Sequence, residues 1–139
     1  MNGDKVRKYF FAATAAVISV TIMTGCMQAG SREAKKIIEK DSGKTIEMKV
    51  GSSILVDLPG NPTTGYMWEV SSMDRSILQM IGDHKFSTNS NVIGAPGKVS
   101  MRFKVIAAGR TQLVLAYRRS WEKDVAPIKT FSVDVIATK

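Results

Sequence analysis

The chain has 139 residues, with 20 Lys and Arg against 12 Asp and Glu, one His and one Cys. That length holds one ordinary domain. The lone cysteine excludes an internal disulfide framework and multi-cysteine metal clusters, and His84 alone excludes multi-histidine zinc sites. The formal charge of +8 belongs to the whole chain, so its bearing on a nucleic-acid partner depends on what processing removes.

The N-terminus carries Lys5, Arg7 and Lys8 against Asp4, and no charged side chain follows from Tyr9 to Ser31. Tyr9–Met23 is apolar or small, which suits a secretory h-region and is short for a membrane span. Met23-Thr24-Gly25-Cys26 resembles the lipobox of bacterial lipoproteins, with Met23 where Leu is usual. The resemblance implies a signal peptide over 1–25, cleavage before Cys26 and a lipid on its sulfur. A plain secretory signal or an uncleaved anchor helix over 9–30 are the alternatives. All three place the domain outside the cytoplasm. The expected localisation is the cell envelope, as a membrane-anchored lipoprotein, or secretion if Cys26 is not lipidated. Without residues 1–25 the chain keeps 17 basic and 11 acidic side chains, a net +6. Residues 26–42 read as a polar tether, with a helical turn around Ala34–Ile38 and the folded domain over 43–139.

From Gly43 the period changes to two. Ile46, Met48 and Val50 alternate with polar residues, followed by Ile54, Val56 and Leu58, then Tyr66, Trp68 and Val70. A less regular run covers Ile77–Phe86. Met101, Phe103 and Val105 come next, then Leu113, Leu115 and Tyr117, and Phe131, Val133 and Val135 close the chain. Such alternation gives strands with one buried and one wet face. The pattern predicts an all-β fold, an immunoglobulin-like antiparallel β-sandwich of about seven strands.

Connections after the first, third and fifth runs are short: Gly51-Ser52, Ser71–Arg75 and Ala107–Gly109. Those after the second, fourth and sixth are longer: Pro59–Gly65, Ser87–Gly97 and Arg118–Pro127. In strands that run up and down, the three long loops fall at one end. They form either a recognition surface or bridges between the sheets.

In the first loop Pro62 fixes its own φ and biases Asn61 to extended geometry, while Gly65 permits a positive φ. Thr63 and Thr64 are expected at the tip with hydroxyls and methyls facing out. Asn61-Pro62-Thr63-Thr64-Gly65-Tyr66, with Trp68 two residues beyond, resembles the chagasin family of cysteine-protease inhibitors. That family's first loop reads Asn-Pro-Thr-Thr-Gly and an aromatic. Its Gly-rich second loop corresponds to Ser90–Gly97, and an Ala-x-x-Gly-like turn to Ala107–Gly109 after Val105-Ile106. The content of that second loop alone reads as an ordinary hairpin connection. The third loop, Tyr117-Arg118-Arg119-Ser120-Trp121-Glu122, sets a Trp beside Arg, the composition of a binding hot spot. The family's Arg-Pro-Trp maps onto Arg119, Ser120 and Trp121, with Ser120 in place of proline, which implies a less rigid loop.

The resemblance implies a reversible inhibitor of papain-like cysteine proteases whose three loops plug the active-site cleft. It implies contacts from Asn61, Pro62, Thr63, Thr64, Gly65 and Tyr66, from Asn91, Gly94, Ala95, Pro96 and Gly97, and from Arg119, Ser120 and Trp121. Trp68 and Tyr117 lie in phase with core positions and are expected buried, Trp121 exposed, and His84 solvated between Asp83 and Lys85. No cofactor, metal or catalytic residue is expected. The residues hold no nucleophile–base constellation, so the chain reads as a binder and not an enzyme. A monomer with no nucleic-acid partner is expected, since the cations read as spread over the tether and strand faces without a helix or aromatic platform. The alternative is a structural or adhesive immunoglobulin-like lipoprotein without a protease target. It leaves Asn-Pro-Thr-Thr-Gly and the exposed Arg-x-Trp unexplained.

Overall fold

β-Branched, Leu and aromatic residues at every second position drive one face of each strand out of water, and two such faces stack. A computed structural model describes residues 34–139. The signal peptide expected over 1–25 and the lipidation expected at Cys26 lie outside the described residues. Eight strands form: β1 Ala34–Ile38, β2 Thr45–Lys49, β3 Ser53–Gly60, β4 Met67–Ser72, β5 Leu78–Ser87, β6 Gly97–Val105, β7 Gly109–Arg118 and β8 Lys129–Thr138. Single 3-10 turns stand at Glu39–Asp41 and Pro62–Thr64. The first sheet has the order β1-β3-β6-β5 and the second β2-β8-β7-β4.

Ile54, Val56, Leu58, Met101, Phe103 and Val105 from the first sheet meet Trp68, Leu113, Leu115, Phe131, Val133 and Val135 from the second. Burial of each such side chain is worth about 1.5–3 kcal/mol. Trp68 sits in this core as expected, and its indole N–H donates to the Pro59 carbonyl at 3.0 Å. Among the described residues the core runs from Ile37 to Ala137, so this segment contains its own folding unit.

The sandwich departs from the sequence reading at its first strand. Residues 34–38, read as part of a tether with a helical turn, form β1 and pair parallel with β3 in register Ala34↔Ser53 to Ile38↔Asp57. Ile37 is fully buried. One inward apolar residue in a five-residue strand leaves a segment that reads as charged linker. The folded part therefore starts at least nine residues before Gly43. β2 also pairs parallel, with β8, so both sheets are mixed and not wholly antiparallel.

The irregular run at Ile77–Phe86 is β5 with a register shift between Ile81 and Lys85, where Gly82 takes φ +69°. The shift turns His84 inward. Its side chain is half-buried, and Nε2 is buried without a hydrogen-bond partner among the described residues, which corrects the solvated placement. His84 lines a cavity of about 610 Å³ between the edges of β4 and β5, with Val70, Met73, Leu78, Met80 and Ile106.

Candidate functional site

The three short connections, Val50–Ser52, Met73–Ile77 and Ile106–Ala108, each cross from one sheet to the other. Three to five residues suffice for the crossing. Of the long loops, only loop 1 (Asn61–Tyr66) crosses. Loop 2 (Thr88–Pro96) joins β5 to its neighbour β6, and loop 3 (Arg119–Ile128) joins β7 to its neighbour β8. Hairpins need only a few residues. The length of loops 2 and 3 is therefore not spent on bridging the sheets.

Loop 1 is a capped 3-10 turn. Asn61 has extended backbone and its side-chain oxygen accepts from the Thr63 amide at 3.2 Å and the Thr63 hydroxyl at 2.5 Å. Pro62 occupies the first helical position, where its missing N–H costs nothing. Gly65 closes the turn at φ +81° with its amide on the Pro62 carbonyl, 3.0 Å. The Thr64 hydroxyl donates to the Asn61 carbonyl at 2.6 Å. The two threonine hydroxyls are thus turned back into the loop, not outward as the sequence suggested. Thr63 and Thr64 are themselves exposed.

Asn61 also fastens the loop to its surroundings. Its backbone N–H donates to the Tyr117 hydroxyl at 3.0 Å, and its side-chain amide donates to the Gly94 carbonyl of loop 2 at 2.8 Å. Tyr117 is buried, as its phase predicts. Its ring lies 5.0 Å from Trp68 and 5.5 Å from Tyr66. Arg119 stands 4.5 Å over the Tyr66 ring. A stack from the core Trp to a loop 3 guanidinium thus supports loop 1, each contact being worth about 0.5–1.5 kcal/mol.

From loop 3, Arg119 Nε donates to the Thr64 carbonyl at 3.3 Å, and its Nη1 reaches Glu122 Oε1 at the same distance. The Glu122 amide donates to the Arg119 carbonyl at 3.1 Å and closes the four-residue turn Arg119–Glu122. Ser120 holds the second position of that turn, which proline also favours. Trp121 is 66% exposed. Its ring edge covers Gly65: a Cβ there would come within 2.5 Å of Trp121 Cη2.

The predicted loop residues are thereby brought together, with loop 1 between loops 2 and 3. Asn91, Gly94 and Pro96 are exposed, Ala95 is half-buried with its amide on the Val92 carbonyl, and Gly97 opens β6 opposite Gly60. Val92 and Ile93 were absent from the predicted contacts, yet they are 71% and 97% exposed at the apex of loop 2. Adjacent apolar residues in an otherwise polar, Gly-rich loop were the signal for them.

Fold and site together describe a scaffold that presents a rigid, three-part surface, a binding module in design. The chain belongs to the chagasin family of peptidase inhibitors, I42, whose family model matches residues 47–135, a family of inhibitors and not of enzymes. Amoebiasin-1 of Entamoeba histolytica is 30% identical over 101 residues, covering 71% of this chain and 95% of that protein. Chagasin of Trypanosoma cruzi is 29% identical over 90 residues, covering 62% of this chain and 82% of that protein. The crystal structure of the cysteine protease inhibitor EhICP2 from Entamoeba histolytica superposes with a TM-score of 0.66 at 22% identity. The match covers 76% of this chain and 95% of that one and supports the immunoglobulin-like fold.

Proposed function

We propose that the chain reversibly inhibits papain-like cysteine proteases by plugging the active-site cleft with loops 1, 2 and 3. Family membership supports the inhibitor class. The observation that carries the mechanism is the double fastening of loop 1, through Asn61 to Gly94 and through Arg119 to Thr64. A surface assembled before docking loses little conformational freedom on binding.

Loop 1 enters the cleft at the protease's Cys–His pair without being cleaved. Acyl transfer requires an extended backbone with its carbonyl aligned for attack. Here Pro62–Thr64 is wound into a 3-10 turn, and the Asn61 and Pro62 carbonyls already accept hydrogen bonds within the loop. Trp121 and Arg119 grip one flank and Asn91–Gly97 the other. No covalent bond forms, and the contacts involve no metal.

The site of action is the cell envelope, through a lipid on Cys26 of the mature chain, or the medium if Cys26 is unmodified. The Met23–Cys26 sequence supports this reading. Calorimetry with papain tests the plug: binding is expected to free enzyme and to be lost when a peptide aldehyde fills the cleft. Equal binding to free and filled enzyme would overturn it.

A further inference from the structure

Charge is distributed unequally between the two outer faces of the sandwich. Residues that point away from the core in the first sheet line up in rows across β5, β6, β3 and β1. One row holds Ile81, Arg102, Leu55 and Lys36, the next Lys85, Ser100, Asp57 and Ile38. Lys104 and Lys98 extend the face at its two ends, opposite Ser53 and Pro59. Five cations thus meet one carboxylate, and Asp57 is occupied by Lys36 at 2.8 Å and by the Ser100 hydroxyl at 2.6 Å. Lys85, Lys98, Arg102 and Lys104 have no ion-pair partner among the described residues. The β5 bulge adds one exposed carboxylate, Asp83.

The second sheet is balanced. Glu47, Glu69 and Asp134 face Lys49, Arg110 and Arg118, with pairs at 3.8 Å (Arg110–Asp134) and 3.9 Å (Arg118–Glu69).

The described chain begins beside the cationic face. β1 is an edge strand of the first sheet, and its parallel pairing sets Ala34 opposite Ser53, where β3 starts. Since β3 runs toward loop 1, Ala34 lies at the pole opposite the three loops. Seven residues, 27–33, separate Cys26 from Ala34, a span of about 29 Å at most.

We infer that the outer face of the first sheet docks on an anionic phospholipid bilayer. Basic side chains are attracted to an anionic lipid surface over about a Debye length, and this face gathers four unpaired ones on a flat sheet. Ile38 and Ile81, 42% and 40% exposed among them, suit the headgroup boundary. A nucleic-acid duplex would call for an element that enters a groove, and this sheet face offers none. Docked this way, the loops stay free at the far pole and the balanced second sheet faces water. The inference rests on the envelope reading for its setting, and its vesicle measurement needs neither the lipid on Cys26 nor a protease.

The test is sedimentation of residues 27–139 with vesicles of phosphatidylcholine alone or mixed with phosphatidylglycerol. At about 0.1 M salt binding is expected to be at least about tenfold stronger to the anionic vesicles and to fall as salt rises. The Lys98→Glu/Arg102→Glu double variant should lose that preference. The matched reversal on the second sheet, Lys49→Glu/Arg110→Glu, should keep it. Lys85→Gln/Lys104→Gln serves if the first variant does not fold. Equal binding to both vesicles would overturn the inference, as would equal losses in both double variants, or binding to duplex DNA in place of vesicles. Papain inhibition by the Lys98/Arg102 variant should match that of the parent. Loss of inhibition in the parent itself, with vesicle binding retained, would sink the inhibitor reading alone.

Discussion

The Asn61 side chain joins two loops: its oxygen caps the Pro62–Thr64 turn while its amide nitrogen holds the Gly94 carbonyl at 2.8 Å. One residue thus shapes the central loop and sets its distance from the second. Asn61→Ala removes both roles at once. Loss of the cap should cost about 1 kcal/mol of stability. Affinity for papain should fall further, by about tenfold or more, because the wedge must then be ordered on docking. Thermal melts and inhibition constants separate the two effects. An unchanged inhibition constant would show that the bridge is not used in binding.

Trp121 is the largest exposed apolar side chain of loop 3. Trp121→Ala should weaken protease binding by about 2 kcal/mol or more. Stability should change little, since the ring covers only loop 1 at Gly65 and not the core. Unaltered binding would remove Trp121 from the contact surface.

Ser120 occupies the second position of a turn closed by the Glu122 amide, so its own amide is not needed for that closure. Ser120→Pro should therefore stiffen loop 3 and tighten binding modestly, by up to about 1 kcal/mol. Weaker binding would show that the loop docks in another conformation.

Asp57 predicts an acid-dependent term in stability. Burial works to raise its carboxyl pKa, but hydrogen bonds from Lys36 and Ser100 and the charges of Lys36 and Lys98 outweigh it and hold the group below its ordinary value. A carboxyl lowered in the folded state stabilises above its unfolded value, about 3.9, and loses that contribution as pH falls through the folded one. Melting temperature should thus drop more steeply below about pH 4 in the parent than in Asp57→Asn. Parallel curves would contradict this assignment.

Much of this architecture was legible because burial imposes a period of two. Ile54-Val56-Leu58 and Phe131-Val133-Val135 announce their strands, and alternating connection lengths place three loops at one end. β1 was hidden because Ile37 alone points inward and its partner β3 lies across the chain in parallel register. The threonine hydroxyls were misplaced because the cap that claims them needs the folded turn. Lys98, Arg102 and Lys104 share the outer face of β6 by the same period of two; that Lys85 joins them follows from sheet order, and residue spacing carries no record of which strands are neighbours. His84 was misplaced for a related reason, since the register shift beside Gly82 has no period to betray it.

Titration of papain with residues 27–139 tests the central claim most directly. The plug predicts a reversible, concentration-dependent loss of peptidase activity, with the inhibitor recovered uncleaved at Thr63-Thr64. Full activity at micromolar inhibitor, or cleavage within loop 1, would contradict it.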